Sequence, residues 1–320
     1  MSDAAPGAAS PKPISTPGDA LWTLRFVLAD DAERITRLCD AVQWQNDLAL
    51  YQWAQLMAVA LDFRPDLILE LGRGMGNSTC AFTEVANLLQ PQRCRVLSLC
   101  LSSDWQTRTV PSLKSIVPKT WFLPLEAHQT NILTFDYARA LAGHERVLVF
   151  WDAHGFDVAE CVLGAILPLI ADRPHLVAMH DLSDSRYLAP TMSSYDGNRL
   201  WRGNDWSGPR LRIGHIDTKV EQAVAVVDFT SRNTIPLHSV DHELHTEFAA
   251  HPERAAEVHR LLGDSLFSLN AHWYYFSLNQ GTAPFTFPRF SQPTPPARAP
   301  LRRRVKVAAK ILLGRQPIEN

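Results

Sequence analysis

The sequence predicts an α/β fold whose doubly wound sheet is mostly parallel. A short apolar segment, 67–71, leads directly into a glycine-rich turn at 72–76 and then into a helix-like stretch. Further apolar segments alternate with helical stretches as far as residue 181, and RVLVFWD at 146–152 is continuously apolar. Strands that alternate with helices are typical of a parallel sheet with helices on both faces, where strands are buried on both sides.

The first part of the chain is expected to precede the sheet. Residues 1–19 are rich in Ala, Pro, Gly and Ser, which predicts a disordered tail. Residues 20–62 are expected to form a helical N-terminal addition. Its apolar positions follow a helical spacing at Ile35, Leu38, Val42, Leu48, Tyr51, Leu56 and Val59.

The sheet is expected to lie within residues 63–288. The predicted strands are Leu67–Leu71, Arg95–Leu101, Trp121–Leu125, Arg146–Asp152, His175–Asp181, Glu221–Phe229 and His272–Leu278. Helices are expected over 157–170 and 241–262. The segment 183–218, rich in Gly, Trp and Arg, is long enough to suggest a lid or binding loop. Residues 289–320 combine a Pro-rich linker with a basic amphipathic tail.

Composition narrows the class of protein. The 320 residues carry a formal net charge of −2, and 46% of them are hydrophobic, which suits one large core and gives no reason to expect nucleic acid as a partner. The five scattered cysteines include no C-x-x-C pair, which disfavours a disulfide scaffold or a zinc cluster. The N-terminus shows no signal peptide and no run approaches the ~18 apolar residues of a membrane span. We therefore expect a cytoplasmic protein.

The glycine turn is the strongest functional signal. Gly72, Gly74 and Gly76 precede Asn77 and Ser78 at the predicted start of a helix. Glycines permit positive φ and close approach of a ligand, and a helix N-terminus offers free N–H groups, so the turn is suited to a nucleotide-like cofactor. The third glycine comes one residue too early for the dinucleotide fingerprint, and no lysine follows as in a phosphate-binding P-loop. An ordinary strand–helix turn is the alternative.

The sequence ELGRGMG at 70–76 resembles motif I of class I S-adenosylmethionine-dependent methyltransferases. The resemblance implies a Rossmann-like sheet with an antiparallel last strand and S-adenosylmethionine as cofactor. It also implies that the turn passes beneath the methionine part of the cofactor and that Glu70 helps to hold its ammonium group.

Acids and histidines stand at the ends of neighbouring predicted strands. Asp152 and His154 follow the fourth strand, and His180 and Asp181 end the fifth. The carboxyl ends of parallel strands meet at one crevice, so Asp152, His180 and Asp181 are candidate ligands of a divalent cation, Mg²⁺ or one that tolerates histidine. Alternatively, the acids cap helices or meet arginines. Asp152 and His154 are the candidate catalytic residues, with His154 as general base; a histidine bonded to a loop is the other interpretation.

This arrangement is similar to the metal-dependent O-methyltransferases of the cephalosporin hydroxylase-like and rhamnosyl O-methyltransferase group, over about residues 40–280. The similarity implies methyl transfer to a hydroxyl of a sugar or natural product. Cys100 stands where such proteins carry a ribose-binding acid; Asp104 is the candidate substitute, or else Glu126 with the polar His128 and Gln129 after the third strand. A non-catalytic binding or scaffold protein on the same fold is therefore the alternative.

The expected partners follow from these assignments. The acceptor is a small molecule or a glycan, and a homo-oligomer remains open. Residues 301–315 combine arginines and lysines with regularly spaced apolar residues. Such a helix can lie on an anionic membrane, which would bring the protein to its inner face, or it can be a solvated tail.

Overall fold

The structure, a computed structural model, describes residues 14–42, 48–90, 93–180 and 218–292. The described residues form one seven-stranded sheet of order β3-β2-β1-β4-β5-β7-β6. Its strands are β1 (Leu67–Leu71), β2 (Arg95–Cys100), β3 (Leu125–Gln129), β4 (Val147–Trp151), β5 (His175–His180), β6 (His238–Ser239) and β7 (Trp273–Phe276).

The strand directions confirm the predicted fold class. β1 pairs in parallel with β2 and β4, β2 with β3, and β4 with β5. β7 is antiparallel to both of its neighbours, β5 and β6. A mostly parallel sheet with an antiparallel last strand, flanked by helices, is the Rossmann-like methyltransferase fold that the sequence predicts.

Helices cover both faces of this sheet. Its longer helices are α1 (Pro17–Asp30), α2 (Ala32–Val42), α3 (Leu50–Phe63), α4 (Asn77–Leu88), α9 (Thr218–Arg232), α10 (Val240–Ala250) and α11 (Pro252–Leu266). Shorter helices are α5 (Val110–Leu113), α6 (Tyr137–Ala140), α7 (Phe156–Cys161) and α8 (Leu167–Ile170), with π-helical turns at Trp105–Thr109 and Val162–Ile166 and 3₁₀ turns at Lys119–Phe122, Ile132–Thr134 and Leu278–Gln280. No helix of the described part is both long and apolar enough to cross a bilayer.

Two apolar cores lie on opposite faces of the sheet. Ile68 and Phe150 belong to the core formed with α1–α4, α10 and α11, whereas Leu69 and Val149 belong to the core formed with α6–α9. Successive side chains of a strand point to opposite faces, and all five residues of β1 are buried, which explains its continuous apolar run. The carboxyl ends of β1, β4 and β5 therefore lie between two helical layers.

Helix α1 begins at Pro17, inside the segment expected to be disordered. The Thr16 hydroxyl accepts a hydrogen bond from the Asp19 N–H, and Pro17 occupies a first-turn position whose missing N–H costs nothing. Residues 1–13 lie outside the described residues, as do Asp181, the tail segment 301–315 and all of the lid predicted at 183–218 except Thr218, where α9 begins.

Two predicted strands are wrong. The third strand runs over Leu125–Gln129 rather than Trp121–Leu125, because Lys119–Phe122 forms a 3₁₀ turn and the ladder begins only after Pro124, which has no N–H to donate. Glu221–Phe229 is not a strand but part of helix α9. Its buried residues recur at helical spacing at Gln222, Ala225, Val226, Phe229 and Thr230.

Candidate functional site

The glycine turn connects β1 to α4 with three left-handed residues. The φ angles of Gly72, Gly74 and Gly76 are 97°, 51° and 101°. Gly76 is the N-cap of α4 and has no side chain with which to cap it. The first helical turn therefore places the N–H groups of Asn77 and Ser78 and the positive end of the helix dipole at the turn, where both residues are buried.

The turn is tightly packed on two sides. A Cβ atom at Gly72 would lie 2.1 Å from the Asp152 carbonyl oxygen, and one at Gly76 would lie 2.3 Å from the indole ring of Trp105. These distances leave no room for a methyl group at either position. The turn is thus in direct contact with the end of β4 and with the segment that follows β2.

Glu70 is fully buried and bound by three hydroxyl groups. Ser78 and Ser98 donate short hydrogen bonds to its carboxylate, and Thr79 donates at 2.6 Å. Burial raises the pKa of Glu70, and the hydroxyl donors oppose that rise. These contacts tie β1 to β2 and to the first turn of α4. A hold on the cofactor's ammonium group remains a prediction.

Arg73 is a site residue that the sequence did not reveal. Its guanidinium is 1% exposed; Nη1 donates to the carbonyl and the hydroxyl of Ser98 at 2.9 Å, and Nη2 donates to the His128 carbonyl at 3.2 Å. Burial lowers the pKa of Arg73, and nearby Glu70 opposes that shift. Arg73 thereby links the glycine turn to the ends of β2 and β3. An arginine between two glycines was its one signal in the sequence.

The predicted ribose-binding position at the end of β2 is polar but already partnered. Ser102 donates to the Asp104 carboxylate at 2.6 Å, and the Arg108 guanidinium lies 3.5 Å from it. Asp104 directly precedes Trp105, whose ring covers Gly76. Asp104 is therefore the chain neighbour of a residue that contacts the turn. Its role toward a ribose remains a prediction.

The acid and histidines predicted at the strand ends do come together. Asp152 Oδ1 lies 3.6 Å from His154 Nε2 and 3.4 Å from His180 Nδ1. The Asp152 and His180 side chains are 8% and 3% exposed, and His154 is 24% exposed. Asp152 also follows Trp151, the register partner of Leu71, so the cluster adjoins the glycine turn. We call Asp152, His154 and His180 the Asp–His cluster.

Two glutamines contact this cluster, one from each helical layer. Gln222 of α9 places Oε1 3.0 Å from His154 Nδ1, and Gln52 of α3 places Nε2 3.2 Å from His180 Nε2. Both glutamines are buried. The sequence marks Gln52 as unusual, because Gln52 and Gln55 are polar residues within an otherwise apolar helix. Gln222 could not be found in this way, because its segment was predicted to be a strand.

The described part of the chain contains no group of three His, Cys, Asp or Glu side chains able to hold a metal ion. Asp181 lies outside that part, so the predicted metal role of Asp152, His180 and Asp181 stays a prediction. Gln52 Nε2 lies 3.2 Å from His180 Nε2, and Asp152 Oδ1 lies 3.4 Å from His180 Nδ1.

No family model matches the chain, and no curated protein is significantly similar to it. Among solved structures, cofactor-bound Rv0187 from MTB shares 17% identity with a TM-score of 0.43, covering 71% of this chain and 89% of that one. The O-methyltransferase TomG from Streptomyces achromogenes, involved in tomaymycin synthesis and in complex with SAM, shares 17% identity with a TM-score of 0.42, covering 63% and 80%. Both likenesses are distant, and the fold assignment rests on the strand order and directions.

Proposed function

We propose that this protein is an S-adenosylmethionine-dependent O-methyltransferase that acts on a hydroxyl group of a sugar or another small natural product. The observation that carries the proposal is the contact between Gly72 and the backbone of Asp152. Through it, the cofactor-type turn and the Asp–His cluster share one edge of the sheet. In an open α/β sheet, this edge is where ligands bind.

The residues of the turn fit the proposed cofactor. Three positive-φ glycines keep side chains off the turn, and Gly74 is exposed, so a ligand could approach the backbone there. The start of α4 would direct the positive end of its dipole toward the cofactor's carboxylate. Gly72, Gly74, Gly76, Asn77 and Ser78 would hold the methionine part. Asp104 is the candidate for the ribose. When bound, S-adenosylmethionine supplies a methyl group on a sulfonium, which is open to attack by an oxygen nucleophile.

His154 is the proposed general base. Its Nδ1 faces Gln222 Oε1, so an Nδ1–H that donates there leaves the Nε2 lone pair to accept the proton of the acceptor hydroxyl. The imidazolium formed would lie 3.6 Å from Asp152 Oδ1, whose negative charge stabilises it. Asp152 would stabilise this imidazolium by its charge, while Gln222 Oε1, at Nδ1, has the orienting position that the carboxylate takes in a catalytic triad.

The proposal assigns no step to a metal ion. Of the described residues in the cluster, Asp152 alone offers a hard oxygen ligand of the kind that Mg²⁺ prefers. Gln52 occupies Nε2 of His180, and one carboxylate with one further ring nitrogen is too few described donors to assign a cation here. The likeness to the cephalosporin hydroxylase-like and rhamnosyl group therefore extends to the Asp152–His154 pattern, and the metal of that group is not carried over.

The test is methyl transfer from labelled S-adenosylmethionine to a panel of hydroxyl acceptors, among them deoxysugars, glycans and phenols. His154→Gln and Asp152→Asn should each lower kcat by about 10²-fold or more, the range of general-base catalysis, while S-adenosylhomocysteine still binds. His238→Gln is the control, because His238 lies on β6, away from the cluster, and is hydrogen-bonded to Glu243 and Gln280. Wild-type rates in both cluster variants would remove these residues from the mechanism.

A binding or scaffold protein without catalysis is the second candidate. Cys100 ends β2 in place of an acid, and Asp104 is engaged by Ser102 and Arg108. A protein of this kind would bind the cofactor weakly or not at all, and no acceptor would be methylated.

A further inference from the structure

We propose that Gln52, on α3 of the N-terminal helical layer, is a positioning residue that fixes the tautomer of His180 and thereby orients Asp152 toward His154. Its catalytic consequence rests on the function proposed above. Its structural part, the protonation pattern of His180, does not depend on turnover. The two residues are 128 positions apart in the sequence, and both are almost completely buried, Gln52 at 4% and His180 at 3% exposure.

Backbone groups fix the orientation of the Gln52 amide. The Ala49 N–H can only donate, and it lies 2.8 Å from Gln52 Oε1. The Ala271 carbonyl can only accept, and it lies 2.6 Å from Gln52 Nε2. A flipped amide would place its NH₂ group against the Ala49 N–H and its oxygen against the Ala271 carbonyl. These two partners therefore assign the oxygen and the nitrogen of Gln52 without ambiguity.

The amide orientation in turn fixes the proton on His180. Gln52 Nε2 carries two hydrogens and no lone pair for accepting; one hydrogen serves Ala271, and the other faces His180 Nε2 at 3.2 Å. His180 Nε2 must therefore be the acceptor, so the ring proton resides on Nδ1. Nδ1 lies 3.4 Å from Asp152 Oδ1, a contact between a partial positive charge and a carboxylate rather than a well-formed hydrogen bond. The opposite tautomer would set an N–H against an NH₂ group in a site closed to water.

The His180 N–H then holds the carboxylate on which His154 depends. Both rings approach the same oxygen, Asp152 Oδ1, and the Asp152 side chain is 8% exposed, so little water competes for it. With the proton on Nδ1, His180 attracts this oxygen electrostatically beside His154 Nε2. With Nε2–H instead, that attraction is lost. Gln52 of α3 thus acts on the general base His154 through a chain of three contacts, with His180 and Asp152 in between.

The first measurement reads the tautomer directly. In full-length protein labelled with ¹⁵N-histidine, the ring nitrogens of His180 should show a protonated Nδ1 and an unprotonated Nε2 near pH 8. A wild-type His180 with its proton on Nε2 would overturn the proposal without any variant. Gln52→Met, which keeps the length of the side chain but cannot donate, should allow the Nε2–H form to appear.

Gln55→Met is the matched control. Gln55 lies one turn further along α3, is 1% exposed, and also donates to carbonyls of the segment before β7, those of Ser268 and Asn270 at 3.0 Å. Its loss removes comparable hydrogen bonds in the same region. The tautomer of His180 should be unchanged in Gln55→Met. Equal changes in both variants would mean that α3 packing, rather than the Gln52 amide, sets the tautomer.

Turnover tests the catalytic part. Gln52→Met should lower kcat by about tenfold or more, as for residues that support a catalytic group, with KM for S-adenosylmethionine unchanged. Gln55→Met should retain kcat within about twofold. Should Gln52→Met change the tautomer and keep full kcat, Gln52 is not a positioning residue for this reaction. A wild-type protein that methylates nothing would refute the proposed function, while the tautomer measurement would still decide the structural claim. Gln52→Glu, an acceptor at the same position, offers a second variant, in which the His180 proton should move to Nε2.

Discussion

Gly72→Ala is the most informative single substitution at the glycine turn. The added Cβ would lie 2.1 Å from the carbonyl oxygen of Asp152, 2.5 Å from its carbonyl carbon and 2.8 Å from the Ala153 nitrogen. All three neighbours are backbone atoms at the end of a buried strand, so none can move away as a side chain could. The substitution also forces a side chain into a φ of 97°.

The two costs can be separated with a control. A left-handed conformation costs a non-glycine residue about 1–2 kcal/mol, and overpacking a rigid site costs about 1–3 kcal/mol more. Gly143 has a similar φ of 77°, but a Cβ there would meet nothing within 4 Å. Gly143→Ala therefore carries the conformational cost alone. The difference between the two variants isolates the contact with Asp152 and should be about 1–3 kcal/mol.

Urea unfolding of both variants measures this difference, and calorimetry with S-adenosylhomocysteine measures its effect on the site. Gly72→Ala should unfold at lower urea than Gly143→Ala and should lose cofactor binding, because the end of β4 and the turn must separate. Gly143→Ala should bind as the wild type does. Equal stabilities, with binding retained in Gly72→Ala, would refute the close contact on which the proposed site depends.

Three further predictions concern other parts of the chain. Burial, and then the charge of Glu84, raises the pKa of the Asp31 carboxyl to about 6. The folded state therefore binds this proton more tightly than the unfolded state does, and the protein loses stability as the pH rises from about 4 to 6. Asp31→Asn should remove that loss, a gain of about 1 kcal/mol at pH 7 because the side chain is half-exposed and partly screened. A free energy of urea unfolding that changes between pH 4 and 7 by the same amount in the wild type and in Asp31→Asn would contradict this. Excess chelator should leave methyl transfer unchanged, whereas inhibition reversed by Mg²⁺ would restore the metal role of Asp152 and Asp181. The full chain should float with anionic liposomes at low salt and a chain ending at Pro300 should not; equal flotation would favour a solvated tail.

Local patterns were sufficient to predict most of the sheet. β1, β4 and β5 are buried along their whole length because both faces of the sheet are covered, and their residues are apolar except for Glu70 in β1 and the terminal His175 and His180 of β5. The glycine turn is recognisable from its three closely spaced glycines. The segment around α9 misled the prediction because EQAVAVVDF alternates over a few residues. Its helical spacing becomes clear only when Gln222 and Thr230 are included, and both are polar residues that the structure buries.

The Asp–His cluster could be predicted only in part. Asp152 and His180 end neighbouring strands, so parallel topology alone brings them together. The hydrogen bonds that set their chemistry come from distant segments, Gln52 in the first helical layer and Gln222 in the second. No local rule connects a glutamine to a histidine 128 residues away, so the contact of Gln52 with His180 could not be predicted from the sequence.

The most direct test of the central claim is a titration of S-adenosylhomocysteine into the full-length protein labelled with ¹⁵N-histidine. If the glycine turn holds this cofactor beside the Asp–His cluster, calorimetry should show binding at a single site, and the ring signals of His154 should shift on binding. The ring signals of His238, which lies on β6 and is hydrogen-bonded to Glu243 and Gln280, should not shift. A folded protein that binds neither S-adenosylhomocysteine nor S-adenosylmethionine, or that binds them without any change at His154, would contradict the account.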